Sequence, residues 1–354
     1  MHNFTVKSIV QDYEVRFIDS ARQTLGQEVQ EGDIIIIDNK IENLCPDLLE
    51  KIHEKHLVIG IEANEQQKSY QGLIPIIARL IEYGFRKNHR LIGIGGGITQ
   101  DVTAFTASIM YRGVRWLFFP TTLLAQGDSC IGSKTSVNFG EYKNQLGGFY
   151  PPSRIFIDLS FLDSLPKAEL QSGLGEMCHY FIVAGKEDFI RFKREYPLAL
   201  QDKQILSGLV ARSLEIKKSY IEIDEFDQKE RQVFNYGHSF GHALESLTDF
   251  AIPHGIGVSF GMDMANFLSV KLNFLAAETR YEIRELLEKI WDGYAIDKLS
   301  VEKFASALSK DKKNVGNELR LILCRGYGKV FRAEVQLDGQ FMGWIKEYFN
   351  KGQN

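Results

Sequence analysis

The order of strand-like and helix-like segments in the first half of the chain most constrains its fold. Apolar runs at 33–38, 56–61 and 90–94 have the length of buried strands, and a helical period over 71–84 separates the last two. A further strand-like run follows at 116–119. Because strands joined through helices pair in parallel, this order predicts a parallel α/β sheet with helices on its faces.

The second half of the chain has a different character. From about residue 160, long amphipathic stretches at 167–186, 200–222, 228–248 and 255–275 dominate, with few strand signals. At 354 residues the chain exceeds what one core usually supports. We therefore predict two domains, an α/β domain over 1–155 and an all-α domain over 156–354.

Charge, cysteine spacing and the N-terminus exclude several classes of function. The net charge is −4 and no run of like charge resembles a polyanion-binding tail, so no nucleic-acid partner is expected. The four cysteines show no Cys-x-x-Cys spacing, which argues against a disulfide scaffold or a thiolate zinc site. No signal segment and no apolar run of membrane-spanning length is visible, so a cytoplasmic protein without membrane contact is expected.

Three of the eight histidines are concentrated within 17 residues of one another. On a helix, His238 and His242 share a face, and Gly237 and Gly241 let another backbone or a ligand approach closely. With His254 on a Pro/Gly turn and one carboxylate, they would complete a shell for zinc or a similar divalent ion. Two core histidines and one turn histidine are the alternative.

The sequence from Gly95 to Gly97 follows a predicted strand. Glycines there let backbone N–H groups approach a diphosphate, and a helix beginning near Asp101 would add its dipole. The segment lacks the third glycine of the usual dinucleotide fingerprint, so a tight strand-to-helix turn is the alternative. Thr121 and Thr122 follow the next strand, where they could hold a cofactor or act as local caps.

A glycine-rich region between the two halves carries Lys134, Lys143 and Asn144 and resembles an anion-binding loop. The other cations that could hold a doubly anionic substrate are Arg112, Lys217, Arg231 and the pair Lys312 and Lys313. For any single one of them, a surface charge is the competing interpretation.

Taken together, these motifs resemble those of the 3-dehydroquinate synthase family within the wider group of sugar phosphate cyclases. The resemblance runs from about residue 30 to 335 and rests on motifs that stand in the family's order: Gly95 to Asp101, Tyr111-Arg112, Pro120 to Asp128, Lys134-Thr135, Lys143-Asn144, Gly175-Glu176, Asn235 to His242 and Pro253 to Gly255. It implies a Rossmann-like N-terminal domain, a helical metal-binding C-terminal domain and a site in the cleft between them. It also implies a homodimer.

The resemblance further assigns individual residues. It implies NAD and a zinc or cobalt ion, the metal being bound by Glu176, His238 and His254. The cofactor contacts that it implies are Asp38, Glu65, Lys68, Gly95, Gly96, Gly97, Asp101, Thr121, Thr122, Asp128, Lys134, Lys143, Phe161 and Ser164. The implied substrate and catalytic contacts are Arg112, Asp128, Lys134, Asn144, His179, Lys217, Arg231, Asn235, His242, Lys312 and Lys313.

The implied reaction is the conversion of 3-deoxy-arabino-heptulosonate 7-phosphate into 3-dehydroquinate by oxidation, phosphate elimination, re-reduction and aldol closure. One departure concerns the substrate: His179 stands where the family places a lysine that contacts substrate hydroxyls. The region 138–144 resembles enzymes that use sedoheptulose 7-phosphate, so that substrate, or glucose 6-phosphate, is an alternative. A metal-dependent polyol dehydrogenase and a catalytically silent binding protein are further alternatives, and a primary or a specialised cyclitol pathway is left open.

Overall fold

The computed structural model describes residues 2–140, 142–296, 299–309 and 318–351. The chain divides into two compact units. Unit 1 comprises Met1–Leu165 and Lys217–Phe226, and unit 2 comprises Pro166–Ile216 and Asp227–Asn354.

Unit 1 is an α/β unit. Its strands are β1 Phe4–Val6, β2 Tyr13–Phe17, β3 Ile34–Asp38, β4 Val58–Ile61, β5 Leu91–Gly95, β6 Trp116–Pro120, β7 Lys134–Phe139, β8 Tyr142–Phe149 and β9 Arg154–Ile157. Its helices are α1 Ala21–Glu28, α2 Asn39–Leu44, α3 Tyr70–Glu82 and α4 Gly97–Ile109, with short 3-10 turns at Pro46–Leu48, Met110–Arg112 and Leu159–Ser164 and a π-turn at Ala125–Ser129.

A seven-stranded sheet forms the centre of unit 1, in the order β1-β2-β9-β6-β5-β3-β4. Only the β1–β2 pair is antiparallel. Residues 34–37 of β3 are fully buried, as expected of a central parallel strand covered on both faces. The predicted parallel α/β architecture is confirmed, and β3, β4, β5 and β6 lie where the sequence predicts strands.

The glycine-rich region that resembles a loop instead forms an antiparallel hairpin of β7 and β8. Buried residues alternate with more exposed ones in the first half of β7, whereas β8 is mostly exposed. Strand β8 contains two glycines and little apolar surface, so its pairing partner rather than its own pattern stabilises it as a strand.

The limits of unit 1 differ from the predicted boundary at 155/156. Strand β9 pairs with β2 and β6, and the Asp158 carboxylate that follows it accepts a hydrogen bond from the backbone N–H of Ala21 at 2.6 Å. The segment 217–226 also belongs here, because the buried Glu225 accepts hydrogen bonds from Ser8 and Ser133. These long-range contacts leave no local sign in the sequence.

Unit 2 is mainly helical. Its elements are α5 Lys167–Ala184, α6 Lys186–Ala199, α7 Lys203–Ile221, whose residues from 217 onward belong to unit 1, α8 His238–Leu247, α9 His254–Lys271, α10 Ala277–Ile290, α11 Val301–Ser309, β10 Glu318–Cys324, β11 Val330–Gln336 and α12 Gly339–Lys351. The antiparallel β10–β11 hairpin corrects the expectation that this half contains helices alone. Its buried leucines alternate along β10, a period-2 signal over too few residues to stand out from the surrounding helices.

The predicted helix over 228–248 is divided into two elements. Residues Glu230–Asn235 form a 3-10 turn, and α8 begins only at His238. Gly237 between them has a φ of 83°, a left-handed conformation that glycine adopts without strain. The break puts His238 at the first position of a helix.

Helix α9 is the central helix of unit 2, with residues 255–269 all buried. Its Asp263 carboxylate accepts two hydrogen bonds from Arg280 of α10, at 2.9 and 2.8 Å, and one from the Tyr348 hydroxyl of α12 at 2.9 Å. This buried network ties the three helices together. None of the helices in the described ranges combines the length and apolar character needed to cross a membrane.

Candidate metal centre and cofactor-binding edge

Several of the predicted cofactor residues lie at one edge of the sheet in unit 1. Asp38 ends β3, Gly95 ends β5, and Thr121 follows β6 directly. The pairing of Ile37 with Ile94, and of Gly95 with Pro120, brings these strand ends side by side. Ligands of open α/β sheets bind outside the carboxyl ends of the strands, so this edge has the position of a cofactor site.

The glycine turn lies where β5 passes into α4. The helix begins at Gly97, four residues before the expected start near Asp101. A Cβ atom on Gly95 would overlap the Thr99 hydroxyl, and one on Gly96 would lie 3.0 Å from the Thr122 methyl group. The turn is therefore packed too closely for side chains, and it leads into a helix N-terminus suited to a diphosphate.

Other members of the predicted cofactor set have structural partners of their own. The Thr121 N–H donates to Gly95 O at 3.0 Å, and the Thr122 hydroxyl accepts from Ala125 N–H at 3.2 Å as a local cap. The Phe161 side chain belongs to the hydrophobic core, and the Ser164 hydroxyl donates to the Phe161 carbonyl at 3.1 Å. Asp38 caps α2 by accepting from Lys40 N–H.

Three predicted lysines of unit 1 are paired with carboxylates. Lys68 Nζ lies 2.6 Å from Asp101, Lys143 Nζ lies 3.1 Å from Glu65, and Lys217 Nζ lies 2.6 Å from Asp128. The Lys217–Asp128 pair is the most buried, with side chains 8% and 15% exposed. A buried cation that keeps one partner can hold an anion brought to it without the full cost of desolvating an isolated charge.

The other predicted substrate residues of unit 1, Lys134, Asn144 and Arg112, lie in different parts of the unit. Lys134 opens β7 and is exposed, and Asn144 lies in β8 with a φ of 53°. Arg112 lies beyond the far end of α4 from the glycine turn. This helix has 13 residues, which separates its two ends by about 20 Å, so the chain does not bring Arg112 to that turn. Lys312 and Lys313 lie outside the described residues.

In unit 2, Glu176, His238 and His254 come together from α5, α8 and α9. Their ligand atoms lie within 4.8 Å of one another. His238 Nε2 is 3.3 Å from one carboxylate oxygen of Glu176, and His254 Nε2 is 3.4 Å from the other. Two imidazoles and a carboxylate converging in this way form the donor set that zinc and similar divalent ions prefer.

The burial and the hydrogen bonding of Glu176 suit a bound cation at this position. The residue is almost completely buried, and within the described part of the chain its Oε2 atom accepts no hydrogen bond. Burial alone would raise the pKa of Glu176, but the imidazoles of His238, His179 and His254 hold it well below the usual value. A buried carboxylate oxygen that accepts no hydrogen bond within the described residues is stabilised by a positive partner, and a metal ion held by the adjacent imidazoles would supply one.

The second ring nitrogens of both histidines are also engaged. His254 Nδ1 is 2.9 Å from a carboxylate oxygen of Glu245, and His238 Nδ1 is 3.3 Å from the Tyr236 carbonyl. An imidazole that donates from Nδ1 keeps its Nε2 lone pair for a metal. Burial would raise the pKa of Glu245, but the hydrogen bond from His254 and the nearby histidines lower it.

Glu245 is absent from the residues that the sequence predicts for the site. It lies seven residues after His238, two turns along the same face of α8, and this spacing is the signal that could have identified it. His242, on the same face, has its ring centre 5.6 Å from those of both His238 and His254.

The other predicted residues of unit 2 surround this cluster less directly. His179 is completely buried, its Nδ1 faces the Glu176 backbone carbonyl, and its ring centre is 5.4 Å from that of His238. Arg231 and Asn235 lie in the 3-10 turn just before α8, where the Asn235 amide donates to Gln232 O at 3.0 Å.

Glycines allow the helices to approach closely enough for these contacts. A Cβ atom on Gly255 would overlap the Ser172 carbonyl of α5, and one on Gly175 would overlap the Gly255 carbonyl of α9. These two glycines are neighbours of Glu176 and His254, so the close helix crossing is what brings the carboxylate and the imidazole together.

Comparisons with known proteins identify the family of the chain. Residues 58–172 match the model of the 3-dehydroquinate synthase N-terminal domain, and residues 173–314 match that of the C-terminal domain. A 3-dehydroquinate synthase from Thermodesulfovibrio yellowstonii is 38% identical over 299 residues, 82% of each chain. The chain belongs to the 3-dehydroquinate synthase family.

Solved structures of sugar phosphate cyclases share the fold of this family member. A 2-deoxy-scyllo-inosose synthase complexed with carbaglucose-6-phosphate, NAD+ and Co2+ has a TM-score of 0.84 at 21% identity, covering 99% of both chains. A 2-epi-5-epi-valiolone synthase from Streptomyces hygroscopicus subsp. jinggangensis, with NAD+ and Zn2+ bound, also has a TM-score of 0.84 at 21% identity and covers 98% of both chains. At this identity the likeness concerns the fold.

Proposed function

We propose that this protein is a 3-dehydroquinate synthase that converts 3-deoxy-arabino-heptulosonate 7-phosphate into 3-dehydroquinate and inorganic phosphate. The observation that carries the proposal is the convergence of Glu176, His238 and His254 in a chain 38% identical to a 3-dehydroquinate synthase. The proposal includes NAD as the resident redox cofactor and zinc or cobalt as the metal. It also includes the homodimer that the family resemblance implies.

Within this proposal the substrate is oxidised at one hydroxyl carbon, loses phosphate, is reduced again at the same carbon and closes its ring by an intramolecular aldol step. When bound, NAD takes up and returns the hydride, and the divalent ion polarises the oxygen at the oxidised carbon. Hydride leaves in the first step and returns in the third, so the sequence needs no external oxidant.

The chain's own contribution is to hold charges and groups in place. Glu176, His238 and His254 bind the metal, and Glu245 and the Tyr236 carbonyl orient the two imidazoles. The strand ends at Asp38, Gly95 and Thr121 bind the dinucleotide together with the other predicted cofactor residues.

The substrate's phosphate and carboxylate would be held by the predicted cations and amides: Lys134, Lys143, Asn144, Lys217, Arg231 and Asn235. The lysine ammonium is a compact charge on a flexible side chain, so it can stay close to the phosphate while the phosphate leaves. Cations beside the phosphate would stabilise the negative charge that develops on it as its C–O bond breaks.

A cyclase acting on sedoheptulose 7-phosphate is the second candidate, and His179 is the observation that favours it. This side chain is completely buried against Glu176. A buried imidazole is shorter than lysine and cannot place an ammonium group beside a substrate hydroxyl. A substrate with a different hydroxyl pattern would suit that change.

The deciding experiment is an assay of phosphate release. Protein loaded with zinc or cobalt and with NAD is offered 3-deoxy-arabino-heptulosonate 7-phosphate, sedoheptulose 7-phosphate and glucose 6-phosphate in parallel. Release from the first alone, with dehydroquinate as product and no net NADH, is the expected result. Release only from another sugar would overturn the substrate assignment but retain the chemistry.

A polyol dehydrogenase would behave differently in the same assay. It would release no phosphate and would accumulate NADH with glycerol, whereas the proposed cycle returns its hydride. A silent binding protein would bind NAD and metal without either product. A simple polyol would not need the predicted phosphate-binding cations Lys134, Lys143, Lys217 and Arg231.

We predict that Glu245→Gln weakens metal binding. Glutamine preserves the shape of Glu245 but removes the charge that holds the His254 Nδ1–H, so the affinity for Zn2+ should fall by about 10- to 100-fold. A competition titration with a chromophoric chelator measures this. Glu282→Gln, on a different helix of unit 2, is the control, and equal affinities for the two variants would contradict the role of Glu245.

A further inference from the structure

One buried residue outside the predicted site residues connects two groups of them. Asn138 is 5% exposed and lies near the end of β7. Its Oδ1 accepts from the Asn144 backbone N–H at 2.9 Å, and its Nδ2 donates to the Glu65 carboxylate at 2.7 Å and to the Glu65 carbonyl at 3.2 Å. Its own N–H donates to Lys68 O at 2.9 Å.

The hydrogen bond from the Asn144 N–H to the Asn138 side chain takes the place of the regular β7–β8 pairing, which is interrupted at Asn138. Val137 pairs with Leu146 and Phe139 pairs with Tyr142, so three residues of β8 face Asn138 alone. Asn144 is in the middle of this bulge with a φ of 53°, a conformation that is costly for a residue with a side chain. The Asn138 side chain takes up the Asn144 N–H that the ladder no longer engages.

The Asn144 side chain is oriented from the same strand. Its Oδ1 accepts from the Ser136 hydroxyl at 2.9 Å, and the Ser136 N–H in turn donates to the Asp101 carboxylate at 3.0 Å. Asn144 is therefore held at its backbone by Asn138 and at its amide by Ser136. An amide held at both points presents its remaining polar atoms in one direction.

The contact with Glu65 connects Asn138 to the predicted cofactor residues. One oxygen of Glu65 accepts from Asn138 and the other pairs with Lys143 at 3.1 Å. Lys68, whose carbonyl accepts from Asn138, pairs with Asp101 at 2.6 Å. The loop that carries Glu65 and Lys68 is thus fastened to the hairpin that carries Lys143 and Asn144.

We propose that Asn138 is a positioning residue that fixes the cofactor-side Glu65 and the substrate-side Asn144 relative to each other. The inference rests on the proposed function for the roles of those two residues. Asn138 touches neither ligand in this scheme; it transmits the position of one group to the other through hydrogen bonds from a single buried amide. Its loss weakens both binding steps and leaves the metal centre unaltered.

Two substitutions separate the contacts. Asn138→Ala removes both, and Asn138→Asp retains an acceptor for the Asn144 N–H while placing a carboxylate against Glu65. Loss of one such hydrogen bond shifts the equilibrium between the held and the released conformation by about tenfold, and binding that needs the held conformation weakens accordingly. We expect Asn138→Ala to raise the Kd of NAD and the KM of the sugar phosphate by about tenfold each. Asn138→Asp should raise the Kd of NAD more than the KM.

Hydrogen exchange at the Asn144 amide gives a readout that does not depend on turnover. Exchange in a peptide spanning 142–149 should quicken in Asn138→Ala and stay near that of the unsubstituted protein in Asn138→Asp. Leu25→Ala, in the core of the same unit, is the control for lost stability alone: any faster exchange should spread over unit 1 rather than concentrate in 142–149, and the Kd and the KM should stay unchanged.

The outcomes distinguish this inference from the proposed function. Unaltered exchange, NAD affinity and KM in Asn138→Ala would overturn the inference, as would equal effects in Leu25→Ala. If the unsubstituted protein releases phosphate from none of the three sugars, the proposed function fails. In that case the NAD titration and the exchange measurement still decide whether Asn138 positions Glu65 and Asn144.

Discussion

Replacing His254 with alanine is expected to abolish metal loading and turnover together. His254 supplies one of three protein ligands, and its Nε2 atom faces the Glu176 oxygen that accepts no hydrogen bond within the described residues. Loss of a residue that merely orients a ligand costs 10- to 100-fold in metal affinity, so loss of the ligand itself should cost more than about 100-fold. Metal per chain after dialysis and phosphate release are the two measurements.

A histidine elsewhere in the chain provides the control for this variant. His53 is half-exposed in unit 1 and pairs with Glu42 at 3.0 Å, so His53→Ala should retain both metal and activity. A His254→Ala protein that keeps stoichiometric metal would contradict the ligand assignment. Retention of activity without metal would contradict the proposed chemistry as a whole.

Replacing Lys217 with methionine is expected to produce the second large loss. Methionine keeps the length of the side chain and removes the charge that lies 2.6 Å from the Asp128 carboxylate. Removal of one preorganised electrostatic group typically costs about 10²- to 10³-fold in rate, and kcat/KM for the phosphorylated sugar should fall by that amount. Lys218→Met, next in the same helix, removes a cation paired with Glu222 and should stay near the unsubstituted value.

A loss of activity in Lys217→Met has to be distinguished from a loss of folding stability. Losing the cation beside the partly buried Asp128 carboxylate should destabilise the protein by at most about 3–5 kcal/mol, the cost for a fully buried pair. Lys217→Met combined with Asp128→Asn removes that carboxylate charge too, so thermal unfolding should return toward the unsubstituted Tm while activity stays low. Recovery of activity in the double variant would show that Lys217 acts only through folding.

The strands of unit 1 show which structural features a local sequence pattern can predict. The isoleucines of β3 and the apolar run of β6 mark buried strands because every residue of a central parallel strand faces a covered side. Strand β8 has no comparable run of apolar residues. It is exposed, contains glycine and becomes a strand through its pairing with β7, so the sequence resembles a loop there.

At the candidate site, the spacing of the histidines likewise predicted only part of the arrangement. Their four-residue spacing and the glycines beside them indicated a lined site, but spacing alone left the carboxylate open. Glu245 and Glu176 both meet His254, one at Nδ1 and the other at Nε2. Which carboxylate faces which nitrogen depends on the crossing of α5 and α9, and no local pattern records that crossing.

By itself, the sequence determined the strands β3 to β6 with the helix between β4 and β5, the glycine turn after β5, the clustering of the histidines and, through ordered motifs, the family. These features depend on periodicity, backbone freedom and residue type over short distances. Only the tertiary structure decided the pairing of β7 with β8 and the positions of Glu245 and Asn138. Those features join residues far apart in the chain, and their contacts arise from packing rather than from any pattern that neighbouring residues carry.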